Sequence, residues 1–278
     1  MPNQLISLLT NSKNACILQD LKLVKQMQPI VHSIMNMVTM PICANVLLSV
    51  GASPIMAHSP EELNDIANFA KSLVINIGTL DEFWLNAIKL AQKIALTKNI
   101  PIIFDPVGAG ATTYRTIVAH QILATGVTIL RGNAAEIMAL QGAKITTAGI
   151  DSMYTSDHAQ AAARDLAQKY NCVVVVSGAR DYIATIVNEC FIDQGSPFFS
   201  KVTGMGCAVT TLIGAFAAIN LDYFLAAKHA MSLFTLAGAV AAKYAKGCGS
   251  FYTELLDNLY NCQQYAITAQ QFQLSSSP

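Results

Sequence analysis

The sequence predicts an α/β fold around a mainly parallel sheet. Short apolar runs rich in branched residues recur along the chain, and longer segments of helical period separate them. The composition agrees: 53% of the 278 residues are apolar and 12% charged, about half the usual charged share, so much of the chain is buried in its own core or against other subunits.

The elements follow in order. Between Gln26 and Pro60 there is no Asp, Glu, Lys or Arg, and Pro29, Pro41, Gly51 and Pro54 break the stretch into a buried strand, a helix and a second strand ending near Pro54–Met56. A helix over Glu61–Ala70 leads to a strand at Leu73–Asn76, and a helix over Asp81–Lys98 to a strand at Ile102–Asp105. A helix over Tyr114–Thr125 precedes a strand at Thr128–Leu130, and one over Ser156–Tyr170, opened by a capping Ser-Asp pair, precedes Val173–Val176. The pattern then changes: Tyr182–Val187 and Phe191–Ile192 read as a hairpin, followed by long helices over Cys207–Asn220 and Asp222–Ala245. With no repeat or linker, one domain over residues 1–278 is expected, with a C-terminal tail, about 270–278, that frays.

Composition also narrows the function. Lys plus Arg balance Asp plus Glu at 17 each, so no net field recruits nucleic acid or an anionic membrane. The charge-free stretch Val202–Leu221 is long enough to span a bilayer, but its glycines and threonines fit a buried helix behind a glycine loop better. The first residues lack a secretory pattern, which points to the cytoplasm. Seven scattered cysteines, with no Cys-x-x-Cys pair, argue against a disulfide framework or a zinc site.

Ligands of an open parallel sheet gather at the carboxyl ends of its strands. There the sequence offers Asn76-Ile77-Gly78-Thr79, Asp105-Pro106-Val107-Gly108, Arg131-Gly132-Asn133 with Glu136, and Ser177-Gly178. Thr203-Gly204-Met205-Gly206-Cys207 runs straight into a helix, so its amides can face an anion; it can equally be a tight turn with a small-residue cap. Asp105 and Glu136 are hard oxygen donors suited to Mg2+, or else a turn initiator and a first-turn helix residue. Arg131 could fork onto a phosphate or pair with an acid. Cys207, at a helix start where the dipole favours a thiolate, could be a base or a small apolar filler.

Taken together, Gly51–His58, Asn76–Leu80, Asp105–Thr112, Arg131–Glu136 and Val202–Cys207 resemble, in order and spacing, the motifs of the hydroxyethylthiazole kinases. The resemblance runs from about Val31 to Tyr260 and includes Gly249-Ser250-Phe251. It implies a ribokinase-like three-layer α/β/α fold with a central, mainly parallel sheet. It also implies a homotrimer with active sites between subunits, and Mg2+-dependent transfer of phosphate from ATP to 4-methyl-5-(2-hydroxyethyl)thiazole. Carried over, Met56, Gly204 and Asn36 are substrate-binding. Arg131, Ser177 and Gly206 are ATP-binding, Asp105 and Glu136 hold the metal, and Cys207 stands where related kinases place an aspartate base. Three departures are Met205 for a usual threonine, Cys248 for a usual proline, and Ala184–Val187 without an aspartate-glycine turn. Rival readings are a kinase of another small alcohol such as hydroxymethylpyrimidine, a nucleotide-dependent hydrate dehydratase, and a catalytically weak nucleotide-binding or thiazole-sensing protein.

Overall fold

A computed structural model of the chain describes residues 15–143, 154–193 and 195–275. Among the described residues, eight strands form one sheet in the order β2-β1-β3-β4-β5-β6-β7-β8. They are β1 (Ile30–Ile34), β2 (Ser53–Ile55), β3 (Ser72–Asn76), β4 (Ile102–Asp105), β5 (Ile129–Asn133), β6 (Val173–Ser177), β7 (Asp181–Ala184) and β8 (Glu189–Ile192). The first six are parallel, and β7 and β8 are antiparallel additions at one edge.

Helices cover both faces because the strands are apolar on both. Val74, Ile103, Ile129 and Val175 point to one side, where they meet α1 (Ala15–Met27), α2 (Met40–Val50), α8 (Met205–Ala217), α9 (Tyr223–Tyr244) and α10 (Cys248–Ser275). Their neighbours Ile75, Phe104, Leu130 and Val174 point to the other, against α3 (Leu63–Ile66), α4 (Glu82–Thr97), α5 (Thr113–Thr125), α6 (Ala134–Gln141) and α7 (Ser156–Tyr170). This period-two alternation with both faces apolar is what a buried parallel sheet requires. The crossover through α2 runs to one side of β1 and the later crossovers to the other, so the chain reverses direction between β1 and β3, where such sheets bind ligands.

Local chemistry fixes the ends. Asp81, Thr112 and Asp222 each accept the amide three residues on and open α4, α5 and α9. Asn133 and Glu136 form a reciprocal capping box on α6. In α8 every residue but Gly206 is buried, and at Gly214 a Cβ would come within 2.7 Å of Val74. The charge-free stretch therefore packs on the sheet. α9 is long and apolar enough to cross a membrane, yet 72% of its apolar window is buried inside the protein. A single 3-10 turn, Pro197–Ser200, drives Phe199 into the space left by Gly238 of α9, stacked on Phe234 at 5.1 Å and edge-on to Phe251 at 5.7 Å.

The expected elements are present with shifts. The helix expected over Glu61–Ala70 is one turn, Leu63–Ile66, because Asn68 and Phe69 bond back only three residues, to Asp65 and Ile66. Strand β5 extends to Asn133, so Arg131 lies within the strand. The hairpin turns earlier than expected: Thr185 Oγ1 accepts the amides of Val187 and Asn188, doing the work of the missing aspartate-glycine turn. α10 runs to Ser275, into the tail expected to fray; residues 276–278 lie outside the described residues.

Candidate functional site

Three strand ends and one helix start converge at the switch point. Asn76 and Asp105 close β3 and β4, pair in register and are fully buried. Asn36 follows β1 by two residues and is also buried. Above them α8 begins, with Gly204 as its left-handed N-cap at φ 86°. A side chain at Gly204 would meet Ile42 Cγ2 at 2.8 Å and Thr39 Cγ2 at 3.0 Å, so glycine is required there by both backbone and space.

Asn76 is the centre of the arrangement. Its Oδ1 accepts from Asn36 Nδ2 at 2.8 Å and from the Gly78 amide at 3.0 Å. Its Nδ2 faces Asp105 Oδ2 at 3.0 Å and Cys207 Sγ at 3.2 Å. Asn36 Nδ2 also lies 3.4 Å from the same sulfur. Asp105 Oδ2 further accepts from Thr210 Oγ1 at 2.9 Å and lies 3.7 Å from Arg131 Nη1. The sequence shows Asn76 only as part of a polar strand end and Thr210 only as a hydroxyl in the charge-free helix, three residues after Cys207 and so on its face; neither pattern reveals these contacts.

Beside this network Glu136 Oε1 accepts the Gly108 amide at 2.9 Å, and its Oε2 accepts the Asn133 amide at 2.8 Å. Arg131 donates through Nη2 to Ser177 Oγ. Its guanidinium lies under Gly206, where a Cβ would come within 2.7 Å of Nη1. Asp181 accepts the Gly178 amide at 2.9 Å and Thr235 Oγ1 at 3.3 Å, tying the turn after β6 to α9.

Burial governs the protonation states. It raises the Asp105 carboxyl above its ordinary value, against the opposing pull of Arg131, Thr210 and Asn76. Burial, then the neighbouring Asp105 charge, pushes Glu136 to about 7. The same two causes push the Cys207 thiol to about 11. The thiolate expected from the helix dipole is thus not favoured: loss of hydration outweighs the dipole at this depth. Burial also lifts Asp181 to about 6.

The structure brings Asn36, Asp105, Arg131, Glu136, Ser177, Gly206 and Cys207 into one connected group, with Gly204 at its edge. Met56 stands at the carboxyl end of β2, half-buried, across β1 from Asn76. Met205 turns its side chain into the core at 3% exposure, so the residue that replaces threonine contributes its amide to the loop and its side chain to packing. The donor set suits a hard divalent cation. Asp105 Oδ1 is buried with no hydrogen-bond partner, and Glu136 feels the Asp105 charge beside it. No group of three or more His, Cys, Asp or Glu side chains that could hold a metal ion exists among the described residues.

The chain is similar to known proteins over most of its length. The hydroxyethylthiazole kinase family matches residues 21–265. The hydroxyethylthiazole kinase of Photobacterium profundum is 46% identical over 248 residues, covering 89% of each chain. That of Nitratidesulfovibrio vulgaris strain DP4 is 45% identical, covering 86% of this chain and 90% of its own. The solved hydroxyethylthiazole kinase of Pyrococcus horikoshii superposes with a TM-score of 0.83 at 39% identity, over 91% of this chain and 96% of its own. A Bacillus subtilis pyridoxal kinase shares the fold at 15% identity, with a TM-score of 0.59 over 76% of this chain and 92% of its own.

Proposed function

The chain belongs to the hydroxyethylthiazole kinase family, and from that membership we propose that it transfers the γ-phosphoryl group of ATP to the hydroxyl of 4-methyl-5-(2-hydroxyethyl)thiazole, giving the thiazole phosphate and ADP. The observation that carries this is the match to that family along residues 21–265; the hydrogen-bonded chain from Asn36 through Asn76 to Cys207 and Asp105, set beside the start of α8, supports it.

Phosphoryl transfer needs positioning and neutralisation of phosphate charge more than covalent participation by the protein. The amides at the start of α8 and the Arg131 guanidinium beside Gly206 offer donors to a transferring group. Ser177 orients Arg131 from the nucleotide side. Cys207, a thiol at neutral pH, directs the acceptor hydroxyl, while the amide groups of Asn36 and Asn76 hold its sulfur. Met56 and Asn36 contact the thiazole. Asp105 and Glu136 would hold Mg2+, which supplies charge neutralisation at the phosphates when bound.

The low charged fraction and the exposure of Met37 and Val38, next to Asn36, at 60% and 65% support a homotrimer whose subunits cover these residues at the mouth of the site. Light scattering on the purified protein tests that assembly. Incubation with Mg-ATP and an equal mixture of hydroxyethylthiazole and hydroxymethylpyrimidine, read by mass spectrometry, tests the activity. Thiazole phosphate as the main product is expected; preferential pyrimidine phosphorylation would overturn the substrate.

A further inference from the structure

Arg115 breaks local rules that its contacts explain. It stands in the first turn of α5, where the helix dipole opposes a cation. It is half-buried, yet among the described residues its side chain binds main-chain carbonyls: Nη2 donates to Gly78 O at 2.5 Å and Nη1 to Val107 O at 3.4 Å. No carboxylate pairs with it among the described residues. A cation kept in such a place without an acid needs another reason to be there.

The two carbonyls belong to the loops that carry the two halves of the site. The Gly78 amide donates to Asn76 Oδ1, and Asn76 in turn holds Asp105 and Cys207. Next to Val107, the Gly108 amide donates to Glu136 Oε1. Space is shaped for this contact: Gly108 has φ 80°, and a Cβ there would overlap the Arg115 guanidinium. A second tether comes from the same helix, since Thr116 Oγ1 accepts the Gly110 amide at 2.8 Å.

We propose that Arg115 is a positioning residue for phosphoryl transfer, clamping the loops after β3 and β4 so that the Asn76–Cys207 arm and the Glu136 arm keep a fixed separation. Its kinetic consequence rests on the kinase reading above; the clamp itself does not. A loose clamp lets two groups that must act together drift apart, and small misplacements are costly in such reactions.

The test uses Arg115→Met, which keeps the stem and removes the donors, and Arg115→Lys, which keeps a charged donor. Hydrogen exchange on the unliganded chain reads the clamp: in Arg115→Met, peptides spanning residues 76–80 and 105–112 exchange about tenfold faster, while β5 and β6 are unchanged. Steady-state kinetics reads its consequence: kcat for thiazole falls about a hundredfold in Arg115→Met with KM nearly constant, and Arg115→Lys recovers part of the loss. Unchanged exchange in either loop, or kcat within about twofold of the parent protein, overturns the proposal. Should Arg115→Met not fold, Arg115→Gln, with its single amide donor, carries the same comparison. A parent protein that phosphorylates a different alcohol would overturn the substrate assignment and leave the exchange result standing.

Discussion

Asn76 and Asp105 are the last residues of adjacent parallel strands, paired in register, and the Asn76 Nδ2 stands 3.0 Å from the Asp105 Oδ2. Parallel register puts both side chains on one face at one height, so the carboxamide can serve the acid and the Cys207 sulfur together. Removing it takes one donor each from the buried Asp105 carboxylate and the Cys207 sulfur and strips the Gly78 amide of its acceptor. Asn76→Ala is expected to lower kcat about a hundredfold and to cost about 1–3 kcal/mol of stability. Kinetics and thermal unfolding of the same preparation check both.

A Cys207 thiol pushed to about 11 stays protonated at neutral pH. An orienting role therefore predicts a kcat that is flat from roughly pH 8 to 9, above the Glu136 titration, and a similar loss in Cys207→Ala and Cys207→Asp. Retention of activity in Cys207→Asp alone would assign the proton-accepting role instead.

The unpartnered Asp105 Oδ1 and the adjacent Glu136 are expected to set the Mg2+ requirement. Asp105→Asn should abolish turnover, and Glu136→Gln should raise the Mg2+ concentration at half-maximal rate by about tenfold or more. A titration of rate against Mg2+ at saturating ATP measures it, and chelation should stop the wild-type reaction.

Asp181 gives a pH signature separate from chemistry. Its folded value of about 6 lies above the ordinary 3.8, so the folded chain binds this proton more tightly than the unfolded one. The contribution is fully present below the unfolded value and is lost as pH rises through about 6. Two units correspond to about 3 kcal/mol at most. Asp181→Asn should flatten the unfolding free energy between roughly pH 4 and 6, which denaturant titrations across that range would reveal.

Much of this site was legible because parallel sheets present ligands at strand ends, and Asp105, Arg131, Glu136 and Ser177 sit at or near such ends. The family resemblance supplied Asn36, Met56 and the thiazole, which no local pattern encodes. What stayed hidden depends on depth and register. The helix dipole suggested a thiolate at Cys207, whereas burial decides otherwise. Asn76 was visible only as part of a polar strand end, because its role arises from being opposite Asp105 and beneath Cys207. The short α3 failed to extend because Asn68 and Phe69 take three-residue turn bonds, which helical period does not reveal.

The seat of Phe199 against Gly238 bears on how this protein could be recombined with its relatives. The ring is gripped by α9 and α10 a few residues before Gly204, so the glycine loop takes its height from those helices as well as from the sheet beneath it. A chimera that exchanged the loop without α9 and the start of α10 would graft a correct motif onto a mismatched ruler. The segment from Ser196 to Phe251 is therefore the smallest block expected to move between homologues with its function intact.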